Sequence, residues 1–359
     1  MRAKQKPLRT AALTLVLLMM ALLPWDGAIA HPLKFIPTGS DFAIWEWQGA
    51  NKCNEIHADV AYDEDENQYL VVFDWDLNGS GNHDIMAMSI TAGGQQVGHT
   101  PTTIYAGSED DSHPAIARDP NGNGYLVVWQ RRNAGDEYDI YGSVISDTIG
   151  APFAIATWSG HQLYPDVAYA TATSRYLVVW EDHRPYWSNS PDIYGASLDS
   201  AGANVQSKSI TGDNALGDQT HPAVTTNGFN YRWLVTWQDS RNSSTTGYDI
   251  YGQAVSFLGG TLALEGSTIP IGVLPGYASA PAVSWGQVDP SASAYGEYLV
   301  VWPESGTLYG QRVDGQDHSL VAGSIAVSDY SSSKYDPAIV YATESEAWWV
   351  VWQDNRDYG

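Results

Sequence analysis

The chain alternates short apolar runs with short polar breaks, and the apolar runs repeat. "YLVVFDW" begins at Tyr69, "YLVVWQR" at Tyr125, "YLVVWED" at Tyr176, "WLVTWQD" at Trp233, "YLVVWPE" at Tyr298 and "WWVVWQD" at Trp348. Ahead of each lies a second phrase: "HADVAY" from His57, "HPAIAR" from His113, "YPDVAY" from Tyr164, "HPAVTT" from His221, "APAVSW" from Ala280 and "DPAIVY" from Asp336. Behind most comes a third, "DIMAMSI" from Asp84, "DIYGSVI" from Asp139, "DIYGASL" from Asp192, "DIYGQAV" from Asp249 and "TLYGQRV" from Thr307. A weaker fourth piece, such as "TTIYAG" or "FAIAT", precedes the next unit. Each piece is rich in Val, Ile, Tyr and Trp and is bounded by Gly, Pro, Asn, Asp or Ser, which is strand chemistry. No window carries a helix-length 3.6 period.

Phe73, Trp129, Trp180, Trp237, Trp302 and Trp352 occupy one repeat position, at separations of 56, 51, 57, 65 and 50. Four strands per unit at a period near 50 predict an all-β, six-bladed propeller of four-stranded antiparallel blades. The "LVVW" strand is apolar at consecutive positions, as a strand covered on both faces must be; one wet face would give alternation. The recurrent Trp is then expected as a wedge between blades, burying on the order of 200 Å². "WEDHR", "WQDSR" and "WQDNR" place Asp182, Asp239 and Asp354 two residues before Arg184, Arg241 and Arg356, so the opposite charges are expected to pair across the turn. The blades start near residues 57, 113, 164, 221, 280 and 336 of a single domain, 31–359.

The sixth unit stops at Gly359, where a third strand should begin. "DFAIWEWQG" from Asp41 resembles the fourth-strand phrase "PFAIATWSG", so an N-terminal strand around Phe42 is expected to close the last blade and remove the free edge. That leaves the last blade short of a strand, either because the chain is a fragment, the preferred reading, or because that blade is short.

The pattern P-x-V-A-Y, YLVVW-x-D-x-R, DIYG-x-x-V resembles the secreted bacterial β-propeller repeat proteins, broadly akin to TolB-like and WD-type propellers. The resemblance runs over nearly everything after residue 40. It implies the fold and an extracytoplasmic binding or scaffolding role, and it brings no shared catalytic residues.

The first thirty residues read as a signal peptide. Arg2, Lys4, Lys6 and Arg9 precede the apolar run Ala11 to Leu23, and Ala28-Ile29-Ala30 gives the small-x-small pattern before a cut. The run is shorter than the roughly 20 residues of a membrane span, so the mature chain is expected without one, secreted or on the cell surface. Removing the segment's four basic residues and Asp26 leaves 13 positive against 40 negative charges, a net of −27. Such a surface repels nucleic acid and anionic lipid. The lone cysteine, Cys53, leaves stability to packing rather than to an intrachain disulfide.

Repeat-equivalent residues converge on a propeller axis, so His57, His113, Tyr164, His221 and Asp336 are the candidate ligand-binding residues at one channel mouth. Three imidazoles, His57, His113 and His221, suit zinc or another transition metal; hydrogen-bonded structural histidines are the plainer alternative. "DWDLNGSGNHD" offers Asp74, Asp76, Asn78 and Asp84 for calcium, although Ile85 stands where an EF-hand needs its bidentate Glu. Sialidase-type S-x-D-x-G-x-T-W boxes are represented only by "SLDSAG" at Ser197, with no recognisable arginine triad. No G-x-S-x-G, H-E-x-x-H or phosphate loop occurs. The preferred reading is therefore a binding or scaffolding module for a glycan or protein, a monomer or part of a longer surface protein. The alternative is a polysaccharide hydrolase or lyase using carboxylates at the channel mouth.

Overall fold

The computed structural model describes residues 54–355, apart from 78, 123, 185–189, 213–215, 228–230, 288–294, 329–331 and 344. The expected signal peptide, Cys53, the closing strand around Phe42, and Arg356 lie outside the described residues, as does Asn78. Among those described, no helix is long and apolar enough to cross a membrane.

Every repeat phrase becomes a strand. Blade one is built from Asn54–Asp63, Gln68–Asp76, Asp84–Thr91 and Gln96–Tyr105, and blade two from Asp111–Asp119, Gly124–Arg132, Tyr138–Ile145 and Phe153–Ala156. Blade three comprises Gln162–Ala170, Arg175–Asp182, Asp192–Asp199 and Gln206–Ser209. Blade four comprises Gln219–Thr226, Arg232–Asp239, Gly247–Leu258 and Thr261–Gly272, with Gly276–Tyr277 added in parallel to its third strand. Blade five is Ala282–Gly286, Glu297–Glu304, Thr307–Asp314 and Leu320–Ala326; blade six shows the pair Lys334–Ala342 and Ala347–Asp354. Within each blade the strands follow chain order and are antiparallel. The first strands of successive blades, from one through six, lie beside one another, so they line the central channel of a β-propeller.

The second strands show why the fold takes this form. Arg175–Asp182 is buried at all eight positions, and Glu297–Glu304 at all but its first. Each apolar face finds its cover on the next blade. Trp180 packs with Ile140 and Ile155 of blade two, Trp302 with Ile250 and Ile271 of blade four, and Trp129 with Val72 and Ile85 of blade one. Trp129, Trp180, Trp237 and Trp302 are fully buried, which makes the recurrent Trp the expected wedge. Gly142, Gly195 and Gly252 of the "DIYG" phrases sit under the outer strand. A Cβ there would come within 2.9 Å of Ile155, 3.2 Å of Ile210 and 2.7 Å of Ile271, so glycine is what lets each isoleucine reach the core.

The rest of the repeat phrase serves the Trp. The indole N–H of Trp180 donates to Asp182 at 2.8 Å, and the two carboxylate oxygens take the Arg184 guanidinium side-on, both at 2.9 Å. Arg184 then lies 3.8 Å over the ring of Tyr194, the tyrosine of "DIYG". Trp237, Asp239, Arg241 and Tyr251 repeat the arrangement. In blade two the carboxylate comes from Asp111 on the first strand instead, holding both Trp129 and Arg131. The buried carboxylates of Asp182 and Asp239 are tolerated because each is paired and hydrogen-bonded on both oxygens, whereas Asp111 takes both of its partners on Oδ1. Asp182 and Asp239 thus pair with their arginines across the turn as expected.

Replacing Trp180 by Ala removes a large buried side chain and the indole donor to Asp182. Chemical denaturation is expected to show a loss of about 3–5 kcal/mol. An unmoved midpoint would show that the indole is not a wedge.

Candidate ligand site at the channel mouth

One backbone device builds the mouth. His57, His113, Tyr164, His221 and Asp336 are all left-handed, with φ of 47, 54, 51, 51 and 45°. Positive φ is uncommon for residues with a Cβ, and here it recurs at one repeat position. The strand registers explain it. His113 and Pro114 together oppose the single residue Trp129, because Ser112 pairs with Gln130 and Ala115 with Val128. The same two-against-one bulge faces Phe73, Trp180, Trp237 and Trp352. A bulge re-aims a side chain, and these are aimed at the axis end of each blade.

The bulges of blades two, three and four are each held by the preceding blade. The N–H of His113 donates to Asp74 at 2.9 Å, that of Tyr164 to Gln130 at 3.0 Å, and that of His221 to Glu181 at 3.2 Å. Asp74, Gln130 and Glu181 are the residues immediately after the recurrent Phe or Trp. Blade five has no such bulge: Ala280 is absent from the left-handed residues, and its strand begins only at Ala282. At blade six the preceding position is Pro303, which has no side-chain acceptor.

The side chains so delivered meet. The His57 and His113 rings stack with centroids 3.5 Å apart, His113 meets Tyr164 edge-on at 5.0 Å, and Tyr164 stacks on His221 at 4.8 Å. The result is a continuous aromatic crescent over blades one to four. Ala280 and the exposed Asp336 occupy the equivalent places on blades five and six. His57 Nδ1 is bonded to Asp74 at 2.8 Å, and the ring is 38 % exposed. Burial and the neighbouring His57 push His113 down to about 3, so its ring is neutral.

The calcium-type loop does not act as one unit. Asp74 turns to the mouth, while Asp76 accepts the N–H groups of Ser80 and Gly81 at 3.0 and 2.9 Å, and Asp84 accepts that of Gly107 at 3.2 Å. Among the described residues, the group of three possible metal ligands is His57, Asp74 and His113, with ligand atoms within 4.8 Å of one another. His221 and Asp336 are not part of that group.

Two carboxylates that the sequence reading passed over lie on the first strands near the mouth. Asp59 takes the N–H groups of Val60 and, across the seam, Ile116, both at 2.8 Å. Asp166 takes those of Val167 at 2.8 Å and Val224 of blade four at 2.7 Å. Burial raises Asp59 to about 6 despite those hydrogen bonds. Burial, with the charge of Asp59 added, raises Asp166 to about 7. The signal was present in the repeats: "HADVAY" and "YPDVAY" carry Asp where "HPAIAR" and "HPAVTT" carry Ala.

Both aspartates hold their proton more tightly folded than unfolded, where Asp ionises near pH 3.9. Their stabilising contribution is therefore complete below about pH 4 and is lost as pH rises through about 6 to 7. The unfolding free energy is expected to fall between pH 5 and pH 8, by an amount on the order of a few kcal/mol. The Asp59→Asn, Asp166→Asn double variant should flatten that slope; an unchanged slope would locate its source elsewhere.

No family model matches the chain, and no curated protein matches it. Solved structures share its fold. One is a protein of unknown function from Dyadobacter fermentans, with 10% identity and a TM-score of 0.57 over 86% of this chain and 92% of that one. A Hadza microbial sialidase matches with 11% identity and a TM-score of 0.53, over 84% of this chain and 65% of the sialidase. The parainfluenza virus 5 hemagglutinin-neuraminidase ectodomain matches with 7% identity and a TM-score of 0.52, over 85% of this chain and 79% of that one. At such identities the likeness establishes the fold alone, and that fold is the β-propeller.

Proposed function

We propose that this protein is a glycan-directed propeller, secreted or at the cell surface, whose ligand seats at the channel mouth. The observation that carries the reading is the crescent of His57, His113, Tyr164 and His221, four adjoining rings delivered by four bulges to one place. Aromatic walls with a few fixed polar groups are the usual lining of a small-ligand site. Two structures of this fold are a sialidase and a hemagglutinin-neuraminidase, which makes a glycan the first ligand class to test. The charge of the site narrows the class. Asp74 and Glu181 lie beside the rings, and Arg131, Arg184 and Arg241 are committed to buried aspartates. An anionic sugar finds no free guanidinium among these, so a neutral or amino sugar is favoured.

A second reading, hydrolysis of the bound glycan, is favoured by Asp59 and Asp166. Two carboxyls whose ionisation is raised toward neutrality, Asp166 partly by the charge of Asp59, have the acid–base character that glycosidic cleavage uses. Their hydrogen bonds across the blade seams also suit a structural role.

Affinity electrophoresis and reducing-end release across a panel of neutral and amino polysaccharides test both readings. Retardation by at least one polymer is expected, with affinity at least about tenfold weaker, or ~1.4 kcal/mol, in a His113→Ala, Tyr164→Ala variant. No retardation, or retardation untouched by that variant, would contradict the site. Reducing ends released by the native protein and not by Asp166→Asn would establish the hydrolytic reading; binding without release would remove it.

A further inference from the structure

The mouth contains a charge that its hydrogen bonds do not fully use. Asp74 is completely buried, its Oδ2 accepts from both His57 Nδ1 and the His113 N–H, and its Oδ1 has no partner. The buried Nδ1 of His113 also lacks a partner. Unpaired buried acceptors cost on the order of 1–3 kcal/mol each, so one on each of two residues that share a cluster of possible ligand atoms with the half-exposed His57 points to a ligand that both can bind. A cation satisfies an anionic oxygen and an imidazole lone pair together; among the described residues no hydrogen-bond donor partners either atom.

We propose that His57, Asp74 and His113 form a binding site for a divalent transition-metal ion, with its remaining position open to the channel. The donor set decides the class. Two imidazoles and one carboxylate suit zinc, cobalt, nickel or copper, whereas calcium and magnesium take oxygen ligands. The ligand atoms lie within 4.8 Å of one another, a spread that small side-chain adjustments close onto one ion. One such adjustment is specific. An ion lies near the plane of each imidazole that binds it, and rings stacked 3.5 Å apart, 23° from parallel, have no point about 2 Å from both nitrogens that lies near both ring planes. The His57 ring therefore turns out of the stack on binding. It is the exposed member, tied by the proton it shares with Asp74, and the incoming ion replaces that proton. His113 offers its buried, unpartnered Nδ1. Asp74 keeps the backbone bond to His113 through Oδ2 while Oδ1 is free to ligate, so loading leaves the seam between blades one and two intact. The site does not depend on the glycan reading, because its test reads metal alone.

Titration calorimetry of tag-free protein at pH 7.5 with zinc chloride, cobalt chloride and calcium chloride provides the test. One zinc or cobalt ion per chain is expected, with proton release and a visible cobalt absorption band from nitrogen ligation. His57→Ala, a half-exposed position whose loss leaves the fold in place, should weaken zinc binding at least about tenfold, and Asp74→Asn should do the same. The cobalt band should be lost in both variants. No zinc binding by the native protein, or zinc binding unchanged in His57→Ala, would overturn the proposal. So would preferential binding of calcium.

Discussion

Burial of both faces of the second strand is the constraint on which this structure depends. A strand such as Arg175–Asp182, with no exposed position, cannot sit in a two-layer sandwich with one wet face. Each blade must press a neighbour on either side, and a ring of blades provides that. The Trp wedge is the principal contact of each seam, and the phrase around it is written for the wedge's polar edge. The indole N–H needs an acceptor once buried, the acceptor is a carboxylate, and the carboxylate needs a cation. Asp182 with Arg184, and Asp239 with Arg241, complete that chain on the tyrosines of "DIYG".

The same Trp position governs the mouth. It lies opposite the two-residue bulge on the first strand, and the residue immediately after it reaches into the next blade to hold that blade's bulge. Packing at the seam and side-chain placement at the axis are thus set by adjacent residues of one strand. This is why the site needs no dedicated loop. It is also why it is uneven: blades two to four carry rings whose bulges are held by a preceding acidic or amide side chain, while Ala280 and Pro303 interrupt the scheme at blades five and six.

Much of this was legible in the sequence, because repeats turn weak strand signals into a strong one. The strands of blades one to five, the Trp wedge, the Asp–Arg pairs and the convergence of His57, His113, Tyr164 and His221 follow from aligning the phrases. Three things were not legible. The His-Pro step reads as an ordinary strand entry, and only the strand register shows it to be a left-handed bulge. Asp74 reads with Asp76 as part of a cation loop, but the side chains separate: Asp74 crosses to blade two, and Asp76 caps its own turn. Asp59 and Asp166 read as polar residues beginning a strand, because their partners, Ile116 and Val224, are 57 and 58 residues away.

The central claim is that side chains following the Trp wedge hold the bulges, and so the mouth, in place. Residue-resolved amide hydrogen exchange in the native protein tests it directly. The N–H groups of His113, Tyr164 and His221 are predicted to exchange as slowly as those of the second strands, and that of Asp336, which follows Pro303, faster by orders of magnitude. Equal and rapid exchange at all four would contradict the account.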